Sequence, residues 1–361
     1  MNVNRRHLLT GSIGATAVAL TASACASEDE GGDGGAKKVG IAMPTKTSER
    51  WILDGDNLKA AFEDEGYEVT LQYANDEVDT QVSQIETMVT QGQDVLVIAA
   101  INNEALNGVL AQAKEQDITV IAYDRLILGT EDVDYYATFD NHQVGVLQGG
   151  YLVTALDLEN AAGPFNIELF AGSLDDNNTK YFFGGAMEQL QPYIDEGKLV
   201  VLSGQTEMEQ VATERWDGAL AQARMDDILS THYGSEQVHA VLAPYDGISR
   251  GIIASLEGAG YQPDELPVIT GQDAEGESIQ YIVDGRQSAT VFKDTRLLAE
   301  TTVDIALAVA NGDEPEVNDE ETYDNGVKVV PAMLLEPVSV DIENYQEVVI
   351  DSGYLDELEQ E

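Results

Sequence analysis

Basic residues, cysteine and histidine are scarce in this sequence of 361 residues. The single cysteine, Cys25, has no partner for an intrachain disulfide, and four scattered histidines offer no metal-ligand spacing. Lys and Arg number 18 against 66 Asp and Glu, which gives a formal net charge of −48. A surface this acidic repels nucleic-acid phosphates and anionic lipids, which argues against a nucleic-acid partner. The charge serves solubility in any host, and it also fits a host in concentrated salt, where screening removes self-repulsion.

The first 24 residues have the pattern of an export signal. A pair of arginines precedes an apolar stretch, residues 8–24, that is too short to span a bilayer comfortably. The stretch ends at Cys25 in a pattern that resembles a bacterial lipoprotein signal, whose cysteine carries the lipid. We therefore expect residues 1–24 to be removed, Cys25 to be lipidated, and the acidic, Gly-rich residues 25–37 to form a flexible tether. A secreted chain cut nearby is the alternative, and the export route, general or twin-arginine, stays open.

From Lys38 onward, short runs rich in Val and Ile alternate with stretches of helical period. Runs of this kind, bounded by helices, predict parallel strands that are covered on both faces. The runs of the first half are 39–43, 69–73, 94–100, 118–123 and 135–139, and those of the second half are 165–171, 199–204, 238–243 and 266–271. The fold class is therefore α/β, with two Rossmann-like, doubly wound parallel sheets and a cleft between them.

Helices are predicted between these runs and after them. They fall at about 50–65, 77–91, 103–116, 178–195, 208–230, 247–259, 275–284 and 295–311. A strand at 289–292 precedes the last helix, and a strand pair, 327–330 with 333–340, is predicted to close the chain. The two tryptophans, Trp51 and Trp216, end the same tripeptide, Glu-Arg-Trp, once in each half, which supports a repeated plan.

Polar and aromatic residues follow the predicted strands. The run ending at Tyr123 is followed by two opposite charges, Asp124 and Arg125. Neighbours in an extended segment point to opposite sides, so a salt bridge between the two is awkward and we expect them to face a ligand. Ligands of open α/β sheets bind beyond the carboxyl ends of the strands. The residues that follow the strands are Lys46, Arg50, Trp51, Asp124, Arg125, Asp176, Asn177, Asn178, Lys180, Arg215, Trp216, Tyr245, Asp246, Gln272, Asp273, Lys293 and Asp294.

This set of side chains suits a neutral ligand covered with hydroxyl groups. Carboxylates accept hydrogen bonds from hydroxyls, whereas Arg, Lys and Asn amides donate to them, and neither charge sign dominates. The indole faces of Trp51 and Trp216 can stack on the C–H faces of a sugar ring. Each residue also has an ordinary structural role open to it, such as helix capping by Asp or core packing by Trp. The joint pattern predicts a polyol site better than any single member does.

One motif points to an enzyme. Residues 247–251, Gly-Ile-Ser-Arg-Gly, match the nucleophile elbow of serine hydrolases, G-x-S-x-G. Those enzymes need their histidine downstream of the nucleophile, whereas all four histidines here precede Ser249. The simpler interpretation is that the small residues begin a helix, so we do not expect an enzyme. No phosphate-binding Gly-rich motif is present either.

Several long blocks of the chain resemble one family. They are GIAMPTKTSERW, SQIETMVTQGQDVLVIA, VIAYDRLI, YYATFDNHQVG, GSLDDNN, ARMDDIL, APYDG, GQDAE, TVFKDTR and NGVKVVPAMLLEPV. Together they resemble the periplasmic sugar-binding proteins of ABC importers (type I periplasmic binding proteins). Within that family the chain resembles the xylose-binding and ChvE-like multiple-monosaccharide-binding proteins. The resemblance runs from about Lys38 to Tyr354, nearly the whole body.

The resemblance implies a clamshell of two Rossmann-like lobes joined by three crossover strands, with sugar bound between the lobes. The N-terminal lobe would comprise residues 38–139 with 294–331, and the C-terminal lobe residues 140–293 with 332–361. The family's sugar contacts fall on Lys46, Arg50, Trp51, Asp124, Arg125, Asp176, Asn178, Trp216, Tyr245 or Asp246, Asp273 and Lys293. Asn177 or Lys180 is the alternative to Asn178. Xylose-binding relatives have Asn where Tyr245 stands, which bears on the choice of sugar.

The function implied is capture of a free monosaccharide, an aldopyranose such as xylose, arabinose, glucose or galactose, for a membrane permease. No bond is made or broken, and neither a cofactor nor a metal is expected. The protein would be a monomer, lipid-anchored through Cys25 on the outer face of the membrane, or in the periplasm if the host has an outer membrane. A sugar-sensing partner of a membrane signalling receptor is the alternative, because both roles use the same ligand-bound surface.

Overall fold

The structure, a computed structural model, describes residues 37–355. The predicted signal, Cys25 and all of the tether except Lys37 lie outside the described residues. The strands are β1 Lys38–Met43, β2 Glu68–Tyr73, β3 Val95–Ile98, β4 Thr119–Tyr123, β5 Tyr135–Phe139, β6 Phe165–Leu169, β7 Leu199–Val200, β8 Ala240–Leu242, β9 Val268–Ile269, β10 Ala289–Phe292, β11 Ala332–Leu335 and β12 Val338–Asp341. The helices are α1 Glu49–Asp64, α2 Val78–Thr90, α3 Asn107–Lys114, α4 Asn141–Ala155, α5 Asn178–Asp195, α6 Met208–Val211, α7 Gly218–His232, α8 Asp246–Gly258, α9 Gly276–Val283 and α10 Thr295–Asn311.

Six parallel strands form the first sheet, in the order β11-β5-β4-β3-β1-β2. Strand β3 is buried at every position, and β4 at all but its first, as expected for a sheet covered on both faces. Apolar residues of α1 and α10 pack on one face, and those of α2 and α3 pack on the other. The helices thus cover both faces of the sheet, which is the doubly wound arrangement.

Four parallel strands form the second sheet, in the order β7-β6-β8-β9. Helices α4 and α5 cover one face and α7 and α8 the other. The antiparallel pair β10 and β12 forms a separate two-stranded sheet. The α/β class with two parallel, doubly wound sheets is therefore confirmed. Among residues 37–355, no helix is both long enough and apolar enough to cross a membrane.

The predicted strand pair at the end of the chain is wrong. Residues 327–330 form no strand, because the side chain of Asn325 turns the chain there by accepting from the backbone N–H groups of Val327 and Lys328. Strand β11 instead extends the first sheet beside β5, and β12 pairs with β10. The pairing of β11 places residues 332–335 with the first sheet, whereas the predicted boundary assigned them to the C-terminal lobe.

Two helix predictions also differ from the structure. The helix expected over 208–230 is divided, because Arg215 and Trp216 both have left-handed φ angles, of 55° and 58°. Helix α4 was not predicted, and its sequence carries glycines that lower helix propensity. One of them, Gly145, is required by packing, because a Cβ there would lie 2.0 Å from the carbonyl oxygen of Phe182 in α5.

Candidate functional site

A cavity of about 570 Å³, counting the part open to solvent, lies where the carboxyl ends of strands from both sheets meet. The cavity is lined by Thr45, Thr47, Ser48, Arg50, Trp51, Asp76, Asp124, Arg125, Asp176, Asn178, Phe182, Arg215, Trp216, Tyr245, Gln272, Asp273 and Lys293. All of the predicted contact residues except Lys46 and Asp246 are therefore brought together. That they touch a sugar stays a prediction.

Buried charges form the floor of this cavity. The guanidinium of Arg50 pairs with Asp54 at 2.9 Å, with Asp124 through a short contact, and with Asp273 at 3.6 Å. The ammonium group of Lys293 lies 2.9 Å from Asp273 and 3.7 Å from Asp124. All five side chains are less than a tenth exposed. Two cations thus face three carboxylates, and the pairing offsets the cost of burying these charges.

The pKa values of two of these carboxylates are shifted in opposite directions. Burial raises the pKa of Asp54 to about 6, against the lowering effect of Arg50. Burial also acts on Asp124, but there the charges of Arg50 and Lys293 prevail and lower the pKa to about 2. Asp54 accepts a short hydrogen bond from the Tyr123 hydroxyl and lies behind the cavity wall, whereas Asp124 lines the cavity. Asp124 is therefore ionised at neutral pH and presents a negative charge to the cavity.

The backbone at Asp124 explains the adjacent charges at the end of β4. Its φ is +58°, so the extended strand ends there, and its N–H donates to the carbonyl of Ala137 in β5. Both Asp124 and Arg125 then line the cavity instead of pointing to opposite sides. Arg125 reaches across to the second sheet, where its Nε lies 3.0 Å from a carboxylate oxygen of Asp176. Asp273, after β9, has a similar left-handed φ of +91°.

The two tryptophans both line the cavity, each among different neighbours. The guanidinium carbons of Arg50 and Arg125 lie 4.7 and 5.0 Å from the ring centre of Trp51, within the range of cation–π contacts. The ring of Trp216 meets Tyr245 edge to face, at 6.3 Å between centroids. A Cβ at Gly172 would lie 2.1 Å from the Trp216 indole, so only glycine permits this ring position. Both indoles are thus rigid parts of the wall.

Asn178 is the member of the Asp-Asp-Asn-Asn stretch that lines the cavity beside Asp176. Its backbone N–H donates to Asp176 at 2.9 Å, and its side-chain amide donates to the carbonyl of Asp124 at 2.7 Å. These bonds tie the start of α5 to the end of β4. The alternatives, Asn177 and Lys180, line a separate groove on the other side of this segment.

Two predicted contacts lie elsewhere. Lys46 is exposed, and its Nζ lies 4.6 Å from the ring centre of Tyr73, outside the cavity. Asp246 is fully buried behind Tyr245, where it accepts from Gln287 and Thr290, each at 2.8 Å. Burial, together with the nearby carboxylate of Glu275, raises the pKa of Asp246 to about 8. Of the alternatives Tyr245 and Asp246, the structure therefore places Tyr245 at the cavity.

Sequence reasoning missed several lining residues. They are Thr45, Thr47, Ser48, Asp76 and Phe182, whereas Arg215 and Gln272 were in the strand-end set but not among the contacts that the resemblance implies. Asp76 follows β2, so a stricter use of the strand-end rule would have found it. Phe182 carries no such signal, because it lies one turn into α5 and looks like a core residue.

Ser249 cannot act as the nucleophile that the G-x-S-x-G match suggests. Its side chain is completely buried inside α8. Its hydroxyl donates to the carbonyl of Thr270 at 2.7 Å and lies 3.0 Å from the carbonyl of Tyr245. The serine therefore joins α8 to the end of β9 and has no access to a substrate.

Residues 39–314 match the family model described as periplasmic binding protein domain. The chain belongs to the periplasmic binding proteins. It is 61% identical over 321 residues to the multiple sugar-binding periplasmic protein SbpA of Azospirillum brasilense, covering 88% of this chain and 90% of that one. It is 56% identical to the multiple sugar-binding periplasmic receptor ChvE of Rhizobium radiobacter, covering 88% and 90%. The predicted resemblance to ChvE-like sugar-binding proteins is therefore confirmed.

A solved structure of the same family supports the fold. An ABC transporter solute-binding protein from Clostridium phytofermentans, with bound β-D-glucose, is 49% identical to this chain and superposes with a TM-score of 0.86. The alignment covers 88% of this chain and 98% of that one. These relatives are binding proteins, so this periplasmic binding protein is not an enzyme. The expected absence of catalysis agrees with the buried Ser249.

Proposed function

We propose that this protein is the sugar-capturing component of an ABC importer and that it binds a free aldopyranose without changing it. The observation that carries the proposal is the buried cluster of Arg50, Lys293 and three carboxylates, which meets two indoles at one cavity. Charged groups that are already paired and fixed can donate to and accept from neutral hydroxyls. A charged ligand would leave one sign of this cluster uncompensated, whereas a sugar does not.

The ligand we propose is a monosaccharide such as glucose, galactose, xylose or arabinose. Support comes from relatives whose names record binding of multiple sugars, and from one solved with β-D-glucose. Charge-assisted hydrogen bonds and stacked indoles together can supply the roughly 8 kcal/mol that micromolar binding requires. Tyr245 narrows the cavity beside Trp216, so it is the residue we hold responsible for the choice among these sugars.

Two lobes would close on the sugar. We assign residues 38–139 and 294–331 to the N-terminal lobe and residues 140–293 and 336–361 to the C-terminal lobe, and residues 332–335 join the first because β11 pairs with β5. Asp124 and Lys293, which come from different lobes, contribute to one cluster. A sugar that bonds to both would stabilise the closed arrangement over the open one, which is the differential affinity that closure needs.

The protein would work outside the cytoplasm as a lipid-anchored monomer. The support is the sequence pattern that ends at Cys25, together with the periplasmic location in the names of relatives. A membrane permease would receive the sugar.

A second role, presentation of sugar to a membrane signalling receptor, is favoured by the likeness to a protein named as a receptor. Transport of labelled sugar in cells lacking the protein separates the two, because only the importer role predicts loss of uptake.

Calorimetric titration tests the binding step. The chain carrying Cys25→Ser, which keeps it free of lipid, is titrated with glucose, galactose, xylose, arabinose and ribose in moderate salt. We expect saturable binding of at least one sugar at micromolar strength. Absence of heat with all five would refute the sugar assignment and leave only the family.

Mass spectrometry of the unmodified protein from its host tests the anchor, because lipidation adds acyl mass at Cys25.

A further inference from the structure

The carboxylate of Glu275 lies beside the cavity without lining it, and it joins groups from both sheets. It stands at the N-terminus of α9, after β9 of the second sheet, and is about 4% exposed. Its Oε1 accepts from the hydroxyl of Tyr245 at 2.7 Å and from the hydroxyl of Ser48 at 2.8 Å. Ser48 follows β1 of the first sheet and directly precedes α1. One oxygen thus connects a cavity residue to the opposite side of the cleft.

The other oxygen of Glu275 is held in place within the second half of the chain. Oε2 accepts from the guanidinium of Arg250 at 2.5 Å, and Arg250 also donates to Ser278 at 2.8 Å. The backbone N–H of Glu275 donates to Asp246 at 3.0 Å. Burial beside Glu275 raises the pKa of the Tyr245 hydroxyl, so this hydroxyl keeps its proton and donates it. The carboxylate of Glu275 is therefore already held in position before closure of the cleft brings Ser48 to it.

A second bond crosses the cleft at the same place. The backbone N–H of Gly276, the first residue of α9, donates to the carboxylate of Glu49 at 3.1 Å. Glu49 is the first residue of α1, so the N-termini of two helices face each other, and that of α9 receives the carboxylate of Glu49. Both contacts require the two halves to be close, so they can form only when the cleft is closed.

We propose that Glu275 is a positioning residue that couples the orientation of Tyr245 in the cavity to closure of the cleft on Ser48. The inference rests on the proposed sugar-binding function and adds a residue outside the ligand contacts. Closure completes the Ser48 bond, and the same oxygen holds the Tyr245 ring at the wall. The bond between Glu275 and Ser48, which we call the latch, raises the affinity for sugar by slowing the opening of the cleft. It therefore acts on the dissociation rate. Encounter of sugar with the open cleft does not involve it.

Stopped-flow binding of D-glucose to full-length variants tests this assignment. Glu275→Gln keeps the shape but loses the negative charge, and we expect a dissociation rate raised roughly tenfold with an association rate unchanged, about 1.4 kcal/mol. Ser48→Ala should give a smaller rise, and its effect should be smaller in the Glu275→Gln background than in wild type, because both changes act on the same Ser48–Glu275 bond. Tyr245→Phe keeps the ring but loses the hydroxyl. Its effect on the dissociation rate should also be less than additive with that of Glu275→Gln.

The matched control is Glu277→Gln on the same helix. Glu277 is largely exposed and lies 3.4 Å from the same Arg250, but no contact joins it to Ser48 or Tyr245 among the residues described. It should bind as wild type does. Normal dissociation from Glu275→Gln, or additive effects of Ser48→Ala and Glu275→Gln, would overturn the latch. If Glu275→Gln does not fold, Ser48→Ala with Tyr245→Phe decides the coupling. Wild type that binds none of the five sugars would instead refute the proposed function, and the latch with it.

Discussion

Arg50 and Asp124 form a buried ion pair that joins α1 to the end of β4 at the floor of the cavity. Each partner has a second role. Arg50 also pairs with Asp54 and lies over the ring of Trp51, whereas Asp124 also faces Lys293 from the other half of the chain. The pair therefore links the aromatic wall to the polar floor. A change on either side disturbs both.

Replacement of Asp124 should abolish most of the binding. Asp124→Asn removes the anion between Arg50 and Lys293 and leaves two buried cations less compensated. We expect the sugar affinity to fall at least about 100-fold, near 3 kcal/mol. Calorimetry measures this, with Asp79→Asn on the exposed side of α2 as the matched control. Affinity within threefold of wild type would show that Asp124 does not serve the ligand.

The intrinsic fluorescence of the protein should report sugar binding directly. Trp51 and Trp216 are the only tryptophans in the chain, and both line the cavity. Sugar should therefore change the tryptophan emission, and Trp216→Phe should retain only the part that comes from Trp51. Trp216→Ala should also weaken binding about tenfold, because a stacked aromatic face is lost. Calorimetric binding without any emission change would place both indoles away from the sugar.

A pair of lysine variants compares a predicted contact that lines the cavity with one that does not. Lys293 is buried between Asp124 and Asp273, whereas Lys46 is exposed beside Tyr73. Lys293→Met should cost binding about 100-fold or more, since it leaves buried carboxylates unpaired. Lys46→Met should bind within twofold of wild type. Equal losses in the two variants would mean that Lys46 reaches the ligand after all.

The stability of the folded protein should depend on pH through the titration of Asp54. Its pKa is raised in the folded state to about 6, so the folded protein keeps a proton that the unfolded chain has lost. The free energy of unfolding contributed by this group therefore falls as pH rises from about 4 to about 6, by up to roughly 3 kcal/mol. Asp54→Asn should lack this slope. Melting temperatures of both proteins across that range measure the difference, and parallel curves would contradict it.

Salt should stabilise the folded chain. At a net charge of −48 the acidic surface repels itself, and the Debye length shrinks from about 10 Å at 0.1 M salt to about 3 Å at 1 M. We expect the melting temperature to rise steadily between 0.1 and 2 M KCl, more than with an equal osmolality of sucrose. Indifference to KCl would remove the hypothesis of a saline host and leave charge as a means of solubility.

Local sequence determined much of this protein. Val- and Ile-rich runs separated by helical periods specify parallel strands, and parallel strands bring their carboxyl ends to one edge. Simple adjacency to a strand end therefore identified Arg50, Trp51, Asp124, Asp273 and most of the other lining residues without any structure. The strand-end rule works because it depends on the direction of the chain and not on long-range packing.

Tertiary structure alone decided which strand-end residue faces inward and what stands behind it. Lys46 and Asp246 follow strands as closely as the lining residues do, but the side chain of the first is exposed outside the cavity and that of the second is fully buried. Strand β11 pairs with the edge of β5 in the first sheet. The residues next to β11 in the sequence do not indicate this pairing. Glu275 lies more than 220 residues from Ser48 in sequence, so only the approach of two helix N-termini in space could bring them together.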